Sequence, residues 1–223
     1  KASSEGLTLA TYNVENLSLD DGESKFKSLA LQVVEELGSP DILALHEVMD
    51  DSGELDDGIV TSTLILKKLI DSIEQEGGAR YAYVDNPPQN NQDGGVPSGN
   101  IRSVLLYRLD RNLDLVSPAQ ASEWFEQNPG EIEFSNNPMH IGESSGVFYG
   151  SRKPAAWLLT QNGHPFIVIT AHLISQGKND PLWGRRQPIL RPEEDQRILQ
   201  TQAITEFTNK IQGLNPNIPI LIV

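Results

Sequence analysis

The sequence predicts an α+β fold in which sheets pack against one another. Short apolar runs recur along the chain, amphipathic helical patterns lie twice near the start and once near the end, and the intervening loops are rich in Asn, Gly, Pro and Ser. At 223 residues the length suits one domain, expected to span 1–223, with no internal repeat and no clear linker.

The elements follow in order. "LTLATYNV" (7–14) reads as a strand. Phe26, Leu29, Ala30, Val33, Val34 and Leu37 then recur at the spacing of an amphipathic helix, and Gly38-Ser39-Pro40 stops it. "DILALHEV" (41–48) is the next strand, and a less regular helix covers about 59–76, ended by Gly77-Gly78. "RYAYVD", "IRSVLLYR", "LDLV", "AAWLLT" and "HPFIVITAHL" are strand-like. "NPPQNNQDGGVPSGN" (86–100) is the most flexible-looking loop. A last helix is expected from Pro192 to Gln212, with Glu193, Glu194 and Asp195 in the first turn, where the helix dipole favours negative charge. "IPILIV" (218–223) begins another buried strand, and because a domain seldom finishes on a core strand, the polypeptide is expected to continue past Val223.

Composition narrows the function. No apolar run approaches the ~18 residues of a membrane span, and "KASSEGLTLA" lacks the pattern of a signal peptide. The absence of cysteine excludes thiol catalysis, disulfides and cysteine–zinc sites. The formal charge is −14, from 31 acidic and 17 basic residues, which works against nonspecific grip on nucleic acid. An acidic protein still acts on phosphates where divalent cations bridge the like charges, so a metal-dependent enzyme stays open.

Three strands share a grammar. "LTLATY" is followed by Asn13, "DILALH" by Glu47 and "FIVITA" by His172, so each buried run ends in one polar group. If the strands are neighbours, the three groups gather at one edge. Taken singly, Glu47 reads more readily as a solvated loop residue, Asn13 as a turn former and His172 as a structural histidine. His46 reads as structural or rim, since alternation points it away from Glu47. His140 and His164 sit in loop-like segments. "DDSGELDDG" (50–58) fails the EF-hand spacing and reads as a solvated loop. There is no phosphate loop, and no Gly-x-Ser-x-Gly to suggest a serine hydrolase.

Taken together, the motifs resemble the endonuclease/exonuclease/phosphatase superfamily, the group of deoxyribonuclease I. "TYNVENL" is similar to its opening strand, "DILALHEV" to its Gln-Glu-Val motif with His46 in place of Gln, and "IRSVLLYR" to the strand ending in an aromatic and Arg. "SRKPAAWLL" resembles the Arg-x-Pro segment, "FIVITAHLIS" the strand with the catalytic His, and "EDQRILQTQAI" the Arg-x-x-Gln-Ala helix. Among members, large bacterial extracellular nuclease-like proteins are the nearest in feel, implying a secreted or periplasmic location. The resemblance implies a four-layer α/β/β/α sandwich, here without its C-terminal strands. It implies divalent-metal-dependent phosphodiester hydrolysis, with Glu47 as ligand of Mg²⁺ or Mn²⁺ and Ca²⁺ as a supporting ion. Arg152 would grip the substrate phosphate, Asn13 would orient phosphate or metal, and His172 would supply a proton near neutral pH. The family's Gly-Asp-x-Asn and Asp-His motifs do not occur here, and they are expected beyond Val223, as are other domains. The family's Glu beside the catalytic His, which aligns near Asn100–Arg102, is not found. DNA or RNA is the first substrate; a lipid headgroup, a soluble phosphoester, or a binding domain without chemistry are the rivals. A calcium-binding adhesion module rests on the acidic loop alone.

Overall fold

A computed structural model describes residues 6–118, 125–126, 130–175, 177 and 179–223. The first sheet holds β1 (Leu9–Leu17), β2 (Ile42–Val48), β3 (Tyr81–Val84) and β4 (Arg102–Arg108) in the order β1-β2-β4-β3. β1 and β2 run parallel, because α1 (Gly22–Leu31) carries the chain back between them. The helix ends in a wider turn over Gln32–Glu36, where Leu37 N–H donates to Gln32 O five residues back at 3.0 Å. α2 (Thr63–Gln75) lies beside α1.

The second sheet runs β11-β10-β9-β5. β5 is Leu113–Leu115, β9 is Ala155–Gln161, β10 is His164–Thr170 and β11 is Ile220–Ile222. β6 (Phe125–Glu126) and β7 (Ile132–Glu133) form a ribbon, and β8 (Met139–His140) pairs with β9. Asn162 and Gly163, at φ 50° and 82°, make the two-residue turn between β9 and β10. α3 (Pro192–Leu214) returns the chain so that β11 pairs parallel with β10.

Strand alternation builds four layers. Leu43, Leu45, Val104 and Leu106 face outward onto Phe26, Leu29, Leu66 and Leu69 of the first helix layer. Ile42, Ala44 and Leu105 face inward onto Ala155, Trp157, Leu159, Phe166 and Val168. Ala156, Leu158, Ile167 and Ile169 meet Ile204, Phe207 and Ile211 of α3. The expected α/β/β/α sandwich is what forms. Among the described residues, no helix is long and apolar enough to cross a membrane.

Two loops differ from expectation. The stretch 50–58 is a solvated loop only in part: residues 54–58 are exposed, but Asp50 is fully buried and accepts from Asn100 Nδ2 at 2.7 Å and from Ser52 N–H at 3.0 Å. Asp51 accepts from the Leu64 and Ile65 amides at 2.9 and 3.2 Å, capping α2 from outside its own sequence, and α2 begins there rather than near residue 59. Loop 86–100 buries Asn86, Asp93 and Asn100. Asn100 Nδ2 also reaches Ile59 O and Asn90 Oδ1, and Asn91 binds Asp56, so the two loops tie each other down. Polar side chains rather than apolar ones hold them, which hydrophobic patterning does not reveal.

Candidate active site

The site lies where β2 and β10 end on the same side of the sandwich. Ile42, Ala44 and His46 share the inward face of β2, and Phe166, Val168, Thr170 and His172 continue the inward face of β10. The His46 and His172 rings therefore meet, edge to face, with centroids 5.6 Å apart. His46 is nearly buried and held between two hydroxyls, Ser103 Oγ at 2.8 Å from Nδ1 and Thr11 Oγ1 at 3.1 Å from Nε2. It forms the floor beneath His172.

By alternation Glu47 would point away from His46. The structure corrects that expectation, because Glu47 sits at φ 64° in a bulge. His46 pairs with Ser103 and Val48 with Arg102, which leaves Glu47 outside the ladder and re-aims its side chain. Its Oε1 lies 3.6 Å from His172 Nε2, with both side chains about one-fifth exposed. A left-handed glutamate is strained, and such strain gathers at functional positions.

Behind this pair stands Arg152, 8% exposed. Its Nη2 donates to Leu173 O at 3.2 Å, fixing the segment after His172, while its Nε has no hydrogen-bond partner. His172 Nδ1 is likewise buried without one. Asn13 pairs in register with His46, so the structure brings it to the same rung. Its Oδ1 accepts from Glu15 N–H at 2.9 Å. Glu47, His172 and Arg152 thus come together, with Asn13 beside them.

Sequence reasoning missed His46 as a wall of the site. It also missed Asp93, whose carboxylate pairs with Lys153 next to Arg152. The signal for the latter was Asp-Gly-Gly at 93–95, a run that permits close backbone approach. His140 also has a role: as part of β8 it meets Asn86 Oδ1 at 2.5 Å through Nε2, joining the two sheets at this end.

Burial sets the electrostatics. His172 is pushed down to about 4 by burial, then by the Arg152 charge and by His46, with Glu47 pulling the other way. His46 is also pushed down to about 4, by burial and by Arg152 against Glu47. The expected proton donor near neutrality is therefore a neutral imidazole in the protein alone. Burial lowers Arg152 too, against Glu47 and Asp93.

A stability prediction follows. Both histidines have folded values below the ordinary 6.5, so the unfolded chain takes up protons first. Their contribution is full above pH 6.5 and is lost as pH falls toward 4. The urea midpoint of chelated protein is expected to drop between about pH 7 and 5, a window above most carboxylate titrations, and His46→Gln is expected to flatten that slope. An unchanged slope in both His46→Gln and His172→Gln would refute the assignment.

No protein-family profile matches the chain, and no curated protein sequence matches it. Solved structures do. The human Nocturnin catalytic domain superimposes with a TM-score of 0.53 at 16% identity, covering 97% of this chain and 62% of that one. TDP2 from Caenorhabditis elegans gives 0.52 at 16% identity, with 96% and 45% covered. An endonuclease/exonuclease/phosphatase family protein from Bacteroides thetaiotaomicron gives 0.51 at 15% identity, with 97% and 62% covered. The chain has the endonuclease/exonuclease/phosphatase fold. It spans between 45% and 62% of the length of these solved chains. In this fold Glu47 lies near the end of β2, His172 just past β10 and Arg152 just before β9.

Proposed function

We propose that this site hydrolyses phosphodiesters with a divalent cation, and that its substrate is DNA or RNA. The observation that carries the reading is the strained Glu47 carboxylate facing His172 at 3.6 Å, with the buried Arg152 guanidinium behind them. The donor set fits Mg²⁺ or Mn²⁺ shared with a substrate. Mg²⁺ takes one or two carboxylates and fills its shell with water and phosphate oxygens. Among the described residues, no group of three or more His, Asp or Glu gathers into a metal cage, which favours such a shared ion over structural zinc or calcium.

Glu47 would hold the cation, with the Asn13 amide orienting the shell or the phosphate. When bound, the cation neutralises charge on the phosphoryl oxygens and the leaving alkoxide. Arg152 offers its fork to a non-bridging oxygen, and its unpartnered Nε is a donor suited to that oxygen. His172 donates a hydrogen bond from neutral imidazole, and an anionic phosphate beside it raises its proton affinity toward acid catalysis. The Nocturnin domain of the same fold was solved with a bound sulfate, a tetrahedral oxyanion of the size this reading requires.

Nicking of supercoiled plasmid by the longest natural polypeptide tests the reading. Expected is Mg²⁺-dependent nicking that a chelator stops and that Arg152→Gln lowers by roughly 10²-fold, the scale of one lost transition-state donor. No nicking, with hydrolysis of a phospholipid or small phosphoester instead, would move the substrate. No hydrolysis of any of them would make this a binding domain.

A further inference from the structure

We infer that Trp183 and Tyr149, with Arg185 and Arg186, form a platform on which the unpaired bases of a nucleic-acid strand stack beside the active site. Trp183 is 96% exposed and Tyr149 is 82% exposed, and neither ring packs into the core. Rings of that size are ordinarily well covered. Charge follows the same surface. The chain carries −14 overall, yet residues 146–192 hold six basic residues and a single acid, Asp180, for a net of +5. Arg185 and Arg186, two and three residues past Trp183, are both exposed. The stretch attracts a polyanion within a protein that otherwise repels one.

The first turns of α3 bring these residues to the site. Residues 181–189 form a loop closed at its base, where the Asp180 amide donates to Leu190 O at 2.8 Å and the Leu190 amide to Asp180 Oδ2 at 2.9 Å. Asn179 Oδ1 accepts from the Glu193 amide at 3.2 Å, which seats that base on the start of α3. One turn on, Arg197 donates to Ser175 O at 3.0 Å, three residues after His172. Gln196 donates to Tyr149 O at 3.4 Å, three residues before Arg152. The fully buried Gln200 joins both segments, donating to Val147 O and accepting from the Ile174 amide. The loop bearing Trp183 and the segment bearing Tyr149 therefore leave the same end of α3, beside the segments that carry His172 and Arg152. An aromatic face in water takes any base that is free of its own stack, and guanidinium groups beside it grip the phosphates between bases. A duplex hides its bases from such a ring. An anionic membrane also attracts Trp with Arg, but the continuity with Arg152, whose fork suits a phosphate oxygen, favours a strand. The platform rests on the nuclease reading for its place in the reaction, while strand binding is measurable without hydrolysis.

The test measures binding of a fluorescent oligodeoxythymidylate to the natural polypeptide in chelator. Expected in Trp183→Ala is at least about tenfold weaker binding, the scale of one lost base–aromatic stack, with Trp183→Phe recovering most of it. Because the side chain is exposed, the urea midpoint of Trp183→Ala is expected to match wild type. Arg185→Gln together with Arg186→Gln is expected to flatten the slope of log affinity against log salt by about 1.4, the loss of two phosphate contacts on a single strand. The duplex with oligodeoxyadenylate is expected to bind equally to wild type and Trp183→Ala. No binding by wild type, or a loss in Trp183→Ala that is equal for single strand and duplex, would overturn the inference. So would unchanged oligonucleotide binding with lost adhesion to phosphatidylserine vesicles, which would make the patch a membrane contact. Strand binding that depends on Trp183 in a protein that nicks no plasmid would keep the platform and remove the nuclease reading. Glu47-dependent nicking with unchanged strand binding in Trp183→Ala would do the reverse.

Discussion

Glycine in place of Glu47 is expected to leave the protein at least as stable as wild type while removing metal-dependent hydrolysis. The residue sits at φ 64°, where a side chain costs roughly 1–2 kcal/mol and glycine costs nothing. Glycine's extra freedom in the unfolded chain returns about 0.5–1 kcal/mol of that, so the net change is small and favourable or neutral. The same exchange deletes the proposed cation ligand, and a loss of roughly 10³-fold in kcat/KM is expected, about 4 kcal/mol of transition-state stabilisation. Glu47→Gln separates the two effects, since it keeps the strain and loses the charge. Urea unfolding beside plasmid nicking measures both. A destabilised Glu47→Gly with normal nicking would show that the glutamate serves the fold instead.

The largest stability effect is expected at Trp157, which is fully buried in the layer between the sheets among Ala44, Ala155 and Leu105. Removing the indole would leave a cavity between the sheets, so Trp157→Ala should cost about 4 kcal/mol. That is a large part of the 5–15 kcal/mol available to a typical domain, and it should lower Tm by roughly 8–16 °C. Its indole Nε1 has no hydrogen-bond partner, so Trp157→Phe removes an unpaired donor along with some volume and should cost under about 1.5 kcal/mol. Thermal unfolding of the two variants decides it. Near-equal losses would mean that the ring's volume is not what holds the sheets together.

The layers were legible because the core strands alternate. Residues 42–45 and 166–169 send one side chain inward and the next outward, and both neighbours are apolar, which marks a strand covered on both faces. The strand-end residues Glu47 and His172 were legible for the same reason, as the first polar groups past buried runs. What pattern could not give was direction. Glu47 reaches its neighbour through a left-handed bulge that neither Gly nor Asn announces, so alternation wrongly turned His46 away from the site. The depressed affinity of His172 for protons comes first from burial, then from Arg152, 20 residues distant, and from His46 on the other sheet. The two-residue β8 and the anchoring of loop 86–100 were hidden because backbone pairing and Asn and Asp side chains hold them, and neither leaves an apolar period.

The proposed cation site at Glu47 is tested most directly by Mn²⁺ titration observed on the imidazole resonances of the four histidines. His172 and His46 border Glu47, whereas His164 begins β10, roughly 25 Å from His172 at the rise of an extended strand. Mn²⁺ is expected to broaden His172 and His46 first and leave His164 sharp, and Glu47→Gln is expected to abolish the effect. Broadening that persists in Glu47→Gln, or that reaches His164 as readily as His172, would contradict it.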